Sequence, residues 1–261
     1  MPAAHEVWVD TDQGRLYAKI WNDAHVAYPP FVLFHDSLGC VALWRDFPDK
    51  LSAATGRAVI AYDRLGFGQS DAHPGRLAFN FIRDEAPHAL PALQEQFAFD
   101  RFIAFGHSVG GGMAIECAAA FPDLCSALIT ESAQTFVEDR TLDGIRDARR
   151  AFAQDAQVER LHKYHGDKAA WVLSAWIDTW LAPEFAGWNL DRALAQLRCP
   201  VLAIHGELDE YGSVRHPERV AAMADSPVTL KILAQCGHVP HRETESEVIG
   251  LIASFLESIE R

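Results

Sequence analysis

No stretch of eighteen or more consecutive apolar residues occurs in the chain, so no segment reads as a membrane-spanning helix. Basic residues are few, 23 Lys and Arg against 36 Asp and Glu, for a formal net charge of -13. A chain this acidic repels phosphate backbones and anionic headgroups, so neither nucleic acid nor a membrane surface is an expected partner. The cysteines are scattered as Cys40, Cys117, Cys125, Cys199 and Cys236, an odd number with no Cys-x-x-Cys pair. That excludes a zinc ribbon or a disulfide framework and fits reduced thiols in a cytoplasmic protein. The twelve histidines lack His-Glu-x-x-His or similar spacing, and no glycine loop of the nucleotide-binding type occurs, so no metal and no cofactor is expected. Residues 1–8 have no basic stretch leading into an apolar one, so no secretory leader is expected. Low-complexity tracts and repeats of solenoid period are missing as well.

What remains is apolar mass: 49% of 261 residues is hydrophobic, enough for one large α/β domain or a core with one sizeable insertion. Short β-rich runs at 7–9 and 16–21 flank Asp12-Gln13-Gly14 and predict a hairpin. Near-continuous apolar runs at 31–35, 58–62, 102–105, 127–130, 201–205 and 229–233 predict strands buried on both faces. Helical patterns at 43–54, 82–97, 109–120, 217–224 and 247–259 fall between them, which is the rhythm of a parallel sheet covered by helices. The rhythm breaks once. Between 130 and 201 about 65 residues are helical in pattern, too long for a loop and expected to form an inserted subdomain over the carboxyl ends of the strands. The expected division is therefore a core of 1–132 and 199–261 with a helical insertion of 133–198.

The run at 102–105 leads directly into Gly106-His107-Ser108-Val109-Gly110 and a helix. This is Gly-x-Ser-x-Gly between strand and helix. The serine must sit on a sharp, strained turn that lifts its Oγ above the sheet, and side chains two residues to either side would collide, hence the glycines. The turn also sets backbone amides at a helix N-terminus, where a developing oxyanion is stabilised. Ser108 is the expected nucleophile. A serine at neutral pH needs a base. His238, in Gly237-His238 just past the last expected strand, has the position for it; His241 is its nearest rival, His107 sits too close to the turn, and His35 is expected to bond within its loop. An acid must orient the base. Asp209, in Gly206-Glu207-Leu208-Asp209 after the run at 201–205, supplies the order Ser, Asp, His. Glu207 and Glu210 flank it, and Glu131 at the end of an earlier strand is a geometric alternative.

Taken together, His35-Asp36-Ser37-Leu38-Gly39, the stretch from Asp63 to Ser70, Gly106–Gly110, Gly206–Asp209 and Gly237-His238 resemble the α/β-hydrolase superfamily over essentially the whole chain. The resemblance implies an eight-stranded, mostly parallel sheet with a helical cap after the sixth strand. It implies an oxyanion hole of two backbone amides, here Val109 and, position by position, Ser37. The superfamily carries His-Gly where this chain has His35-Asp36, and a carboxylate beside an oxyanion requires Asp36 to point away, where it is expected to accept hydrogen bonds from loop amides. The resemblance makes Asp63–Ser70 a structural turn. Ser108 stands where the superfamily's haloalkane dehalogenases and epoxide hydrolases place Asp.

The expected reaction is acyl transfer to water on a small, partly apolar ester, thioester or lactone, by a monomer or homodimer. Carbon–carbon bond hydrolysis or a lyase reaction with the same triad is the alternative, and a ligand receptor with slow or no turnover is a second, because one fold hosts many functions. Specificity is expected in the insertion. Leu173, Trp176, Ile177 and Trp180 form one helical stripe, with Trp171 on roughly the opposite face. The stripe is expected to pack inward, and at least one of Trp171, Trp176, Trp180 and Trp188 is expected to line the cavity above Ser108.

Overall fold

The computed structural model describes residues 4–23 and 28–260. The hairpin comes first: β1 (His5–Thr11) and β2 (Gly14–Trp21) pair antiparallel, and the Thr11 hydroxyl closes the turn by donating to the Gly14 carbonyl at 2.6 Å. The chain then alternates through β3 (Phe31–Phe34), α1 (Phe47–Thr55), β4 (Val59–Tyr62), α2 (Phe81–Phe97), β5 (Phe102–His107), α3 (Val109–Ala120) and β6 (Cys125–Glu131). Next come α4 (Asp139–Ala151), α5 (Asp155–His165), α6 (Ala169–Trp180) and α7 (Asp191–Leu194). The alternation resumes with β7 (Val201–Gly206), α8 (Arg215–Met223), β8 (Val228–Leu233), α9 (Pro240–Glu243) and α10 (Glu245–Ile259).

The eight strands form one sheet in the order β1-β2-β4-β3-β5-β6-β7-β8. β2 runs antiparallel to β4, and every pair from β4 through β8 is parallel. All residues of β3, β4, β5 and β7 are buried, whereas the edge strands β1 and β8 are mostly exposed or half-buried. Continuous apolar runs belong in the middle of such a sheet because both faces are covered. One apolar cluster joins the sheet to α2, α3, α7 and α8; the other joins the opposite face to α1 and α10. Among the described residues no helix is long and apolar enough to cross a membrane.

Two local differences from the pattern reading have clear causes. The helix expected at 43–54 is split into a 3-10 turn, Val41–Trp44, and α1, with Arg45 at φ 55° between them. Pro48 lacks an amide donor and its ring disfavours helix upstream, so α1 starts with it in the first turn. β5 also runs on past its apolar residues, because Gly106 and His107 still pair with Thr130 and Glu131 of β6. Of the helices strung between β6 and β7, the final stretch is part of the main core: Leu190, Ala193, Leu194 and Leu197 are buried in the same cluster as α3.

The start of α3 crosses the end of β3 so closely that a Cβ at Gly110 would strike the Phe34 carbonyl oxygen, which is backbone and has nowhere to go. Gly110→Ala is therefore expected to lose at least ~3 kcal/mol of stability in urea denaturation. Gly250→Ala in α10, where a Cβ meets nothing, should be neutral or slightly stabilising. Equal losses in the two variants would refute the steric argument.

Candidate active site

The carboxyl ends of three parallel strands supply the central residues. Ser108 occupies the single residue between β5 and α3, at φ 56° and ψ -125°. A side chain costs energy there, and the surroundings hold it in place. The Ser108 amide donates to the Glu131 carbonyl at 2.9 Å, and its own carbonyl accepts from the Gly111 amide at 2.9 Å. A Cβ at Gly106 would meet the Gly110 carbonyl, so the turn closes only with glycine at that position. Asp209 follows β7, and His238 follows β8.

These three side chains form one hydrogen-bonded chain. The Ser108 hydroxyl lies 3.0 Å from His238 Nε2, and His238 Nδ1 lies 2.8 and 2.9 Å from the two Asp209 oxygens. Asp209 Oδ1 also accepts from the Tyr211 amide at 2.7 Å and the Gly212 amide at 3.1 Å, so the carboxylate is oriented before the imidazole arrives. Its main-chain carbonyl accepts from Arg140 of α4 at 2.9 Å. Burial alone would raise the Asp209 pKa, but the hydrogen bond and charge of His238, with His205 and the Tyr211 amide, bring it down to about 2. Burial alone would lower the His238 pKa; the Asp209 hydrogen bond and charge, with Glu210 and Asp36 adding, outweigh it and hold His238 above the ordinary imidazole value.

The rival residues are also accounted for. The side chains of His241 and Glu131 pair with each other, Nδ1 to Oε2 at 2.5 Å, and neither side chain bonds the side chain of Ser108 or Asp209. His35 bonds within its loop: Nδ1 donates to the Asp36 carbonyl at 2.8 Å while Nε2 accepts from the Arg64 amide at 3.1 Å. Glu207 accepts from the Gln235 amide at 3.4 Å on the surface. Asp36 departs from one expectation. Its carboxylate accepts no loop amide; Oδ2 lies 3.6 Å from His107 Nδ1, and Oδ1 is wedged against Gly39. Asp63 holds the neighbouring loops instead, accepting from the Val41 and Gln69 amides at 2.6 Å each. Its burial raises its pKa to about 6 against those two donors.

Above Ser108 lies a cavity of about 190 Å³. Ser37, Ser108, Gln134 and His238 make its polar floor, and Leu38, Ile145, Trp176, Trp180, Tyr211 and Val239 its apolar walls. Trp176 stands edge-on to Tyr211, with centroids 6.0 Å apart, and Tyr211 in turn leans on the His238 ring at 4.9 Å. Two of the four candidate tryptophans are elsewhere. Trp171 donates its indole N–H to the Gly75 carbonyl at 2.7 Å and stacks on His73. Trp188 stacks on Phe185 and abuts Trp180 from behind. The correction has a physical reason: an indole N–H needs an acceptor, and for Trp171 that acceptor lies outside the cavity, while Trp188 is drawn into an aromatic cluster. The two that line the cavity, Trp176 and Trp180, both belong to the stripe that packs inward.

Pattern reasoning missed Gln134. It is 3% exposed, and its Oε1 lies 3.3 Å from the Ser108 hydroxyl, which has one proton to share between it and His238. Ser132-Ala133-Gln134 carries no spacing signal that would have singled it out.

A profile of the alpha/beta hydrolase fold matches residues 29–189. The chain is similar to a serine hydrolase, BPHL, of Mus musculus, with 25% identity over 221 residues covering 81% of this chain and 74% of the relative. Among solved structures, a membrane phospholipase A described as a bacterial virulence factor superposes with a TM-score of 0.79 at 18% identity, over 99% of this chain and 87% of that one. A serine hydrolase involved in carbazole degradation, the CarC enzyme, superposes with a TM-score of 0.77 at 19% identity, over 98% and 99%. At such identities the two structures speak for the fold alone.

The His238 environment makes a pH prediction. Only the neutral imidazole can accept the Ser108 proton, and a raised pKa keeps it protonated to higher pH. The kcat/KM for an ester should therefore rise through one group with its midpoint above 6.5. His238→Ala should remove that limb, and His241→Ala should leave it in place. The opposite result would move the base to His241.

Proposed function

The chain belongs to the alpha/beta hydrolase fold family, and on that premise we propose that it is a serine hydrolase working through an acyl-enzyme on a small, partly apolar carboxylic ester, thioester or lactone. The observation that carries the reading is the unbroken hydrogen-bonded chain from Asp209 through His238 to Ser108 under an apolar cavity. The serine hydrolase relative from mouse supports it.

In the proposed reaction Ser108 Oγ attacks the carbonyl carbon while His238 Nε2 takes the hydroxyl proton. The carbonyl oxygen becomes an oxyanion and is held by the amides of Val109 and Ser37. Ser37 belongs to the loop lining the cavity, and Val109 opens α3, where the helix N-terminus favours negative charge. Collapse breaks the bond to the leaving group, which takes the proton from the imidazolium. Water then repeats the attack on the acyl-enzyme, giving its proton to His238, and Ser108 departs with that proton. Asp209 stays ionised and holds the imidazole in the tautomer with its Nδ1–H facing the carboxylate.

We assign the helical stretch 133–198 the part of a cap, since Thr141, Ile145, Trp176 and Trp180 come from it. The cavity's lining supports the proposed substrate class. Its walls favour apolar groups, and the carboxylates of Asp36 and Glu210 on its lining disfavour an acyl or alcohol group that is itself anionic.

Two measurements test this reading. A fluorophosphonate should label Ser108, and Ser108→Ala should lower kcat by about 10⁴–10⁶-fold, as expected when a triad acts as a unit. Labelling that persists in Ser108→Ala would end the proposal. Trp176→Ala should shift kcat/KM ratios between short and bulky acyl esters by about 1–3 kcal/mol. Trp171→Ala, with its ring outside the cavity, should leave the ranking unchanged.

A further inference from the structure

Beneath the triad lies a second layer of buried groups that the proposed chemistry does not use. His107, Glu131 and His241 are each at most 2% exposed, and their donor atoms lie within 4.8 Å of one another. His107 directly precedes the nucleophile. Its Nε2 is 2.8 Å from the main-chain carbonyl oxygen of His238, so the ring must donate there. Glu131 closes β6, and its Oε2 is 2.5 Å from Nδ1 of His241, three residues past His238 on the same loop.

The loop carrying the base needs such ties. β5 and β8 are not neighbours in the sheet; β6 and β7 lie between them. The loop from Gly237 to His241 therefore has no ladder connecting it to the strand that carries the nucleophile. Its amides are held from within: Gly237 and Val239 both donate to the Glu243 carboxylate, at 2.7 and 2.9 Å. That shapes the loop without locating it. Asp209 and the Leu208 amide tie it to the end of β7, and Arg242 ties it to the Leu43 carbonyl. The contacts that tie it to β5 and β6 are His107 to the carbonyl of His238 itself and Glu131 to the loop's far end.

We propose that His107 and the His241–Glu131 pair are positioning residues that set the distance between Ser108 Oγ and His238 Nε2 by fixing the main chain of His238 against β5 and β6. The inference rests on the serine-hydrolase reading of the triad. Because His107 is covalently next to Ser108, any shift of the nucleophile strand is passed directly to the base loop, and the 3.0 Å gap is preserved. The protonation of the layer suits this role. Burial, with the neighbouring histidines, lowers the His107 pKa to about 4, so the ring is neutral and its one N–H is committed to the His238 carbonyl. Burial raises Glu131 to about 7 and lowers His241 to about 3, so one proton joins the pair whichever partner carries it. A small misplacement of the base is enough to matter, since an error of about 1 Å costs on the order of 100-fold in rate.

The test compares two amides of equal polarity and different reach. A glutamine amide N–H falls about where the imidazole Nε2–H lies, and an asparagine amide falls one methylene short. His107→Gln should keep kcat within about threefold of wild type, and His107→Asn should lower it roughly 10- to 100-fold with KM nearly unchanged. Fluorophosphonate labelling of Ser108 should slow in parallel in His107→Asn. Glu131→Gln, which keeps a hydrogen bond to His241, should behave like His107→Gln. Equal kcat in His107→Gln and His107→Asn would overturn the inference, as would losses that follow melting temperature rather than reach. A rise in melting temperature on adding Zn²⁺, abolished in His107→Asn, would also overturn it by making the cluster a metal site. If wild type itself is not labelled at Ser108, the failure belongs to the proposed function.

Discussion

Between β5 and α3 the backbone reverses within one residue, at φ 56° on Ser108, and most of the site follows from how that reversal is held. A non-glycine residue in this region is costly and survives only where neighbours overdetermine it. Here the neighbours are backbone: the Glu131 carbonyl takes the Ser108 amide, and α3 can begin beside β3 only because Gly110 has no side chain. The same reversal sends His107 down into the sheet and Ser108 up into the cavity. One residue pair thus faces two places, Ser108 the cavity and His107 the buried cluster with Glu131 and His241.

Charge is handled by partner, not by exclusion. Asp209 and Glu131 are both fully buried carboxyl groups at adjacent strand ends, yet their environments push them in opposite directions. Asp209 accepts two amides and an imidazole and is held to about 2. Glu131 has only one histidine, itself resistant to protonation, and burial raises it to about 7. Two groups of one chemical type thus differ in how readily they ionise because of donor supply.

The helices between β6 and β7 line the cavity and also bond the segment that carries Asp209. α4 places Thr141 and Ile145 on the cavity, while Arg140 and the Thr141 hydroxyl bond the main chain of Asp209 and Tyr211. The wall of the cavity and the Asp209 loop are therefore both held by one helix. Behind them, Trp180, Phe185 and Trp188 form an aromatic cluster that fixes α6, leaving Trp176 to lean on Tyr211.

Local chemistry in the chain determined much on its own: apolar runs marked the six strands β3–β8, although β8 lies at the edge and is not buried on both faces as its run suggested, Gly-x-Ser-x-Gly at a strand–helix junction marked Ser108, and strand-end positions singled out Asp209 and His238. These were legible because each depends on neighbours a few residues away, through alternation, sterics and turn geometry. Four things were decided only by the tertiary structure. Gln134 reached Ser108 by packing, with no motif behind it. Glu131 and His241, alternatives in the sequence, became partners of each other. Asp36 turned to His107 and found no loop amide. Of the four candidate tryptophans, Trp176 and Trp180 faced the cavity, and Trp171 and Trp188 did not. The physical reason is common to all four. Helical periodicity says which side chains share a face but not what that face meets, and a buried polar group takes whichever partner the fold brings within 3 Å or so, from segments a hundred residues away.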